Sequence, residues 1–265
     1  MERILLAYCP VIGKESSIQV KRYESVHGNV DSYFLCIILK GTYFVKKEVV
    51  KMNFMIKNNQ KILFIGDSIT DCGRRDTFAP AGNGYVKLFM DMVTANFPER
   101  RINFVNKGIG GNTIIDLKQR WEDDVIHNKP DWLSILIGIN DIHRVFAKVD
   151  MWENFACKKY RENYERLLET TKKRLSCRII LLEPFYITVD STDWWRGMVK
   201  ERLAEYREVV SGLSKKHNTL MIKTQDLFNK HLKYRDGETF CAEPVHPNQA
   251  GHMVIANALF NLLKR

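Results

Sequence analysis

This chain of 265 residues contains no C-x-x-C pair and no metal-ligand spacing of cysteine and histidine, although it carries 6 cysteines. Cys9, Cys36, Cys72, Cys157, Cys177 and Cys241 are scattered, which implies neither a disulfide framework nor a metal site. They read as small core residues in a reducing compartment. Runs long enough to span a bilayer are also missing. Tyr33 to Val45 is apolar but short, and Lys40 and Gly41 interrupt it. Arg3-Ile4-Leu5-Leu6-Ala7 faintly resembles a secretory leader, but Pro10 and the lack of a small-residue cleavage site argue against one. The expected location is cytoplasmic, with no membrane partner.

What the chain has in excess is positive charge, a formal +10. Such a balance invites a nucleic-acid reading. Basic and acidic residues are interleaved, however, as from Lys158 to Arg166, and no nucleic-acid-binding motif is present. Solvated helix faces account for the charge, and no nucleic-acid partner is expected. The 45% hydrophobic content suits one sizeable core plus an appendage. Nothing in the pattern excludes a homo-oligomer.

From about Lys61 onward, apolar runs alternate with amphipathic stretches. Strands are predicted at Ile62–Ile65, Ile102–Val105, Trp132–Ile137, Arg178–Leu182 and Leu220–Lys223. Helices are predicted at Tyr85–Phe97, Thr113–His127, Trp152–Leu175, Trp194–His217 and Asn248–Leu263. The repeat implies an α/β fold, a five-stranded parallel sheet between two helix layers, with functional groups beyond the carboxyl ends of the strands. Residues 1–55 do not share the repeat and form an N-terminal extension, with one or two short strands in Ser32–Val45; the α/β domain is 56–265. Lys47-Glu48-Val49-Val50-Lys51-Met52 is a peptide that a purine-rich ribosome-binding stretch before a start codon would encode. Either the native start is Met52 or Met55, or the extension is an accessory segment.

The pentapeptide Gly66-Asp67-Ser68-Ile69-Thr70 directly follows the first apolar run. Ser68 thus falls where strand becomes helix, among free backbone N–H groups, a position suited to a nucleophile with an oxyanion donor at hand. Serine is also a common helix cap. Three further blocks end strands or precede the last helix: Asn106-Lys107-Gly108-Ile109-Gly110-Gly111-Asn112-Thr113, Gly138-Ile139-Asn140-Asp141, and Glu243-Pro244-Val245-His246-Pro247-Asn248. Pro244 and Pro247 bracket His246 and restrict its backbone, and Pro247 suits the first turn of the terminal helix. Gly108–Gly111 lacks a complete G-x-G-x-x-G, so a dinucleotide cradle is disfavoured.

With these four blocks in order, the chain resembles an SGNH hydrolase of the GDSL esterase family over about Lys61 to Leu263. Ile65–Arg75, Trp121-Glu122-Asp123-Asp124 and Lys129-Pro130-Asp131-Trp132 are similar to a bacterial branch containing acetylxylan esterases. The resemblance implies a three-layer α/β/α sandwich of flavodoxin-like type. It makes Ser68 the nucleophile and His246 the base, with the N–H groups of Ser68 and Gly111 and the Asn140 amide as the oxyanion hole. The family's third triad residue is usually an Asp three positions before the His, and Glu243 stands there. The alternatives are a Ser–His dyad assisted by a backbone carbonyl, or a carboxylate from Asp236.

Asp67 is expected to brace the nucleophile turn and Asp141 to orient its loop. Asp67, His143, Trp194 and Trp195 form the substrate-facing set, with Arg74 and Arg75 as further contacts. His252, like the remaining histidines, has no partner pattern. No metal or cofactor is called for. The implied reaction is serine-dependent hydrolysis of acetyl or other short acyl esters on an oligosaccharide. A lipid ester, a thioester, or a non-catalytic binding module are the rival readings.

Overall fold

The computed structural model describes residues 20–25, 31–39, 42–50, 53–147, 152–188 and 193–264. Arg3–Ala7, Cys9 and Met52 lie outside the described residues. The chain divides into two compact units, Met1–Asn53 and Phe54–Arg265. In the first, β1 (Val20–Ser25), β2 (Asp31–Leu39) and β3 (Thr42–Val50) form an antiparallel sheet in that order. Leu39 lies opposite Thr42 and Asp31 opposite Val50. The strands are longer than the sequence pattern indicates.

The second unit is built on a parallel sheet of β4 (Lys61–Gly66), β5 (Asn103–Asn106), β6 (Trp132–Leu136), β7 (Arg178–Leu182) and β8 (Leu220–Ile222). The spatial order is β5-β4-β6-β7-β8. The connection from β4 runs outward to β5, whereas the one from β5 returns across β4 to β6. Loops at the carboxyl ends of β4 and β6 therefore diverge, and a crevice opens between them. This is the three-layer, flavodoxin-like sandwich.

The β4 residues Ile62, Leu63, Phe64 and Ile65 are fully buried on both faces, as expected for a central parallel strand. The helices that cover the sheet are α1 (Ser68–Asp71), α2 (Tyr85–Asn96), α3 (Ile114–Trp121), α4 (Ile139–Phe146), α5 (Cys157–Arg174), α6 (Trp194–Lys216), α7 (Thr224–His231) and α8 (Gln249–Leu263). One layer pairs α2 with α8, and the other stacks α3, α5 and α6. Phe64 points at the first layer, its ring 6.1 Å from Tyr85 and 5.7 Å from Phe89. Phe54 lies between α2 and α8, 4.9 Å from Phe97 and 5.7 Å from Phe260. Among the described residues no helix is long and apolar enough to cross a membrane.

Several boundaries depart from the expected pattern. The stretch expected as one helix from Thr113 to His127 ends as an α-helix at Trp121 and continues as a π-helical turn, Glu122–Ile126. A 3₁₀ turn, Trp152–Phe155, precedes α5. The last helix begins at Gln249, because the Asn248 side chain caps it by accepting from the N–H groups of Ala250 (2.9 Å) and Gly251 (3.1 Å). Pro247 therefore lies outside the first turn, not in it.

The end of β4 is tight. A methyl group on Gly66 would sit 2.2 Å from the Leu136 carbonyl oxygen of β6. Because that neighbour is backbone, Gly66→Ala must force the two central strands apart at the carboxyl edge. The expected cost is about 2 kcal/mol or more, read as a fall of several degrees in Tm. An unchanged Tm would contradict the packing described.

Candidate active site

Ser68 is the first residue of α1, and Asp67 caps that helix by accepting the Ile69 N–H at 3.0 Å. The turn is further held by the Thr70 hydroxyl on the Tyr85 hydroxyl, 3.0 Å away. At the other end of the unit, Cys241 and Pro247 pair as an isolated antiparallel bridge, and the Ile187 N–H donates to the Pro244 carbonyl at 2.8 Å. These two ties fix the loop that carries His246.

The His246 Nε2 lies 2.8 Å from the Ser68 Oγ. A short hydrogen bond joins His246 Nδ1 to Glu243 Oε1. With a carboxylate on Nδ1 the ring proton belongs there, leaving Nε2 to accept from the serine hydroxyl. Glu243 folds back over its own loop. Its Oε1 also accepts the His246 N–H at 2.8 Å, and its Oε2 accepts the Val245 N–H at 2.9 Å. Those bonds take up the extra methylene relative to aspartate. Partial burial pushes the Glu243 carboxyl up, but the Val245 and His246 N–H groups and the His246 ring outweigh it and hold it below its ordinary value. Asp236, the other carboxylate considered, instead begins a 3₁₀ turn, Gly237–Thr239.

Facing Ser68 is the loop after β5. A methyl built on Gly110 would lie 3.8 Å from Ser68 Cβ. Gly111 has φ +78°, a left-handed conformation that glycine adopts freely. Neither the Ser68 N–H nor the Gly111 N–H has an acceptor among the described residues. Asn140 lies in the first turn of α4, not in a loop, and its Nδ2 donates to the Asn112 carbonyl at 3.0 Å. One Nδ2 proton remains for another acceptor.

Arg120, which the sequence reading passed over, ties these loops together. It donates to the Asn112 side-chain oxygen (2.8 Å), the Lys107 carbonyl (2.7 Å) and the Gly66 carbonyl (3.2 Å), with Asp124 2.6 Å away as counter-ion. Asp71 contributes a second brace, accepting from the Gly110 N–H at 3.0 Å and from Arg75 Nε at 2.8 Å. Arg74 donates to the Gly108 carbonyl at 2.6 Å. Both arginines that follow the serine block thus hold the loop after β5.

Of the remaining expected site residues, His143 is half-buried, 6.4 Å from the Tyr186 ring. Burial pulls its ring toward the neutral form; the Glu243 charge opposes this and the His246 charge adds to it. Trp195 packs on Phe146 at 5.4 Å, and Trp194 is 71% exposed. No hydrogen bond or ring contact among the described residues joins either tryptophan to Ser68, Glu243 or His246. Among the described residues no three His, Cys, Asp or Glu side chains group so as to hold a metal ion.

Residues 64–254 match the GDSL-like Lipase/Acylhydrolase family. The chain belongs to that family. It is also 42% identical over 211 residues to an acetylxylan esterase of Geobacillus stearothermophilus, spanning 77% of this chain and 93% of that protein. The crystal structure of Axe2, an acetylxylan esterase from Geobacillus stearothermophilus, superposes with a TM-score of 0.70 at 40% identity, covering 79% of this chain and 96% of Axe2. LAE5, an alpha/beta hydrolase enzyme from the metagenome of Lake Arreo, Spain, gives a TM-score of 0.72 at 32% identity, covering 80% and 98%. As a GDSL-family member of this kind, the chain is a carboxylic ester hydrolase.

Two carboxyls around the site of this GDSL hydrolase are buried. Burial raises Asp67 to about 7 against the pull of the Ile69 N–H and the His246 charge. It raises Asp141 to about 8, although Asp141 accepts the first N–H of α3, at Ile114, 3.2 Å away. Between about pH 4 and pH 8 the folded chain holds protons on these groups that the unfolded chain has lost. Their contribution therefore makes the fold less stable as pH rises through that window. Asp67→Asn and Asp141→Asn keep an accepting oxygen and remove the titration. Each variant should lose less Tm between pH 4 and 8 than the parent; an identical decline would refute the raised values.

Proposed function

We propose that the chain removes acetyl groups from xylan-derived oligosaccharides, with Ser68 as nucleophile, His246 as general base and acid, and Glu243 as the residue that orients the imidazole. The observation that carries this reading is the continuous hydrogen-bond line from Ser68 Oγ through both ring nitrogens of His246 to Glu243. Axe2 supports it. Variants of Axe2 described as catalytic mutants replace a serine, an aspartate and a histidine, the aspartate three positions before the histidine. Ser68, Glu243 and His246 repeat that pattern with glutamate for aspartate. Axe2 is also described as an acetyl-xylooligosaccharide esterase.

In this scheme Ser68 Oγ attacks the ester carbonyl carbon while its proton passes to His246 Nε2. The oxyanion accepts from the unpaired N–H groups of Ser68 and Gly111 and from the free Nδ2 proton of Asn140. Collapse breaks the bond to the alcohol, which leaves with the proton from His246. A water molecule then gives its proton to His246, attacks the acetyl-Ser68 carbonyl, and acetate departs as Ser68 regains its proton. Asp67, expected among the substrate contacts, is buried and braces the nucleophile turn instead. His143 feels the charges of Glu243 and His246 and is proposed to line the site, with Trp194 and Trp195 as proposed outer contacts. The unit from Phe54 onward holds all of these residues and suffices for the reaction in this scheme. Cytoplasmic placement is proposed on the four free thiols among the described residues, Cys72, Cys157, Cys177 and Cys241.

The test is a substrate panel run on the parent and its variants. Acetylated xylo-oligosaccharides and p-nitrophenyl acetate should be cleaved, and p-nitrophenyl esters should slow as the acyl chain lengthens. Ser68→Ala and His246→Ala should lose activity by at least about 10³-fold. Asn140→Ala should lose about 10²–10³-fold in kcat. Glu243→Asp should retain more kcat than Glu243→Ala, and an unaffected Ala variant removes Glu243 from the scheme. A chain begun at Met52 should keep the parent's kcat. Preference for long acyl chains would replace the acetyl reading with a lipase or thioesterase one.

A further inference from the structure

A groove of about 440 Å³ lies between the 72–83 loop and the start of α8. Its walls include Asp76, Thr77, Phe78, Asn83, Pro247 and Gln249. Pro247 directly follows His246, and the loop begins at Cys72, the residue that ends the helix opened by Ser68. The groove is thus bounded by the residue that follows the imidazole and by the residue that closes the Ser68 helix. An ester's alcohol half must lie beside His246, because the departing oxygen has to take its proton from it.

The walls have the chemistry of a sugar subsite. Phe78 is 48% exposed, yet it is seated rather than loose. Its ring lies over Gly73, so close that a methyl there would be 2.9 Å from Phe78 Cδ2. Its N–H donates to the Gly73 carbonyl at 2.9 Å, and its carbonyl accepts from Gly82 at 2.7 Å. The loop is tied at both ends, by Asn83 N–H to the Cys72 carbonyl (2.8 Å) and by Gln249 Nε2 to the Asn83 carbonyl (2.7 Å). Asn106 holds it near its far end, donating to the Ala81 carbonyl at 2.7 Å. A fixed, half-exposed aromatic face beside polar side chains suits a pyranose ring, which presents C–H groups to the ring and hydroxyls to its rim. The Asn83 side chain and Gln249 Oε1 have no partner among the described residues and are available to those hydroxyls.

Charge narrows the ligand further. Asp76 is the groove's one acidic residue, and no Lys or Arg lines it. His252, at the base, accepts the Tyr85 N–H on Nδ1 at 3.2 Å, which leaves it neutral with its remaining proton toward Cys72 Sγ. An anionic saccharide would meet a carboxylate with no compensating cation.

We infer that this groove binds the neutral sugar chain of the ester, with Phe78 stacked under the sugar unit next to the acetylated one. The inference rests on the carbohydrate esterase reading and adds the subsite to it. Phe78→Ala should raise KM for acetylated xylotetraose about 3- to 10-fold, the worth of one aromatic contact. Its kcat on that substrate, its Tm, and its kcat/KM for ethyl acetate, whose alcohol half is too small to reach Phe78, should stay at parent values. Phe78→Trp should restore KM. A glucuronic-acid-substituted oligosaccharide should bind more weakly than the neutral one, and Asp76→Asn should narrow that gap. An unchanged KM in Phe78→Ala, or an equal loss on both substrates, would overturn the subsite. Failure of the parent to cleave any acetylated oligosaccharide, with p-nitrophenyl acetate still turned over, would overturn the carbohydrate reading and the subsite together.

Discussion

A hydroxyl at the carboxyl end of β4 and an imidazole just ahead of the last helix, 178 positions apart, stand 2.8 Å from each other. A fraction of an ångström decides whether a proton passes across such a gap, so the rest of the unit acts as its frame. Gly66 lets β4 and β6 close up just before the serine turn. Phe54, Phe97 and Phe260 lock α8 to α2, and with it the loop that precedes α8. The Cys241–Pro247 bridge and the Pro244 carbonyl then stop that loop from sliding. The interaction is local, but the geometry behind it spans the whole sheet.

The proposed oxyanion donors are organised by the same logic. Each comes from a different segment at the switch point of the sheet: the start of α1, the loop after β5 and the first turn of α4. Arg120 draws the Gly66, Lys107 and Asn112 oxygens to one guanidinium, and Asn112 in turn receives the Asn140 amide. A planar, always-charged fork can hold several acceptors at fixed angles in a way a lysine cannot. The π-helical turn that follows Trp121 keeps Asp124 beside Arg120 as its counter-ion. No hydrogen bond among the described residues joins this cluster to Ser68, yet it sets where the groups around Ser68 can be.

Much of this was legible in the sequence, for identifiable reasons. Ile62–Ile65 and Arg178–Leu182 stand out because strands buried on both faces need unbroken branched apolar runs. Ser68, Gly111, Asn140 and His246 stand out because each sits in a short block, three at strand ends and the fourth just before the last helix, that apolar periodicity does not explain. The short helices were not legible. Ile139–Phe146 offers two turns, too few for a period to emerge from composition, so Asn140 read as a loop residue. Arg120 carried no signal of its own, since nothing local reveals the carbonyls that fold over it. His252 read as ordinary too. Its burial and its bond to the Tyr85 N–H arise only when α8 docks on α2. Contacts made across long sequence separations are the part of a site that local pattern does not carry.

Glu243 shows how a departure from a family pattern can be absorbed. Its longer side chain takes two backbone N–H groups of its own loop while keeping one oxygen on His246 Nδ1. The central claim remains that the hydroxyl on the other side of that imidazole is the reactive one. Diethyl p-nitrophenyl phosphate, followed by peptide mapping by mass spectrometry, addresses it directly. The account predicts one diethylphosphoryl group per chain, carried by Ser68, with activity lost in proportion and labelling strongly slowed in His246→Ala. Complete inactivation with Ser68 unmodified, or labelling of Ser68 that leaves turnover intact, would contradict it.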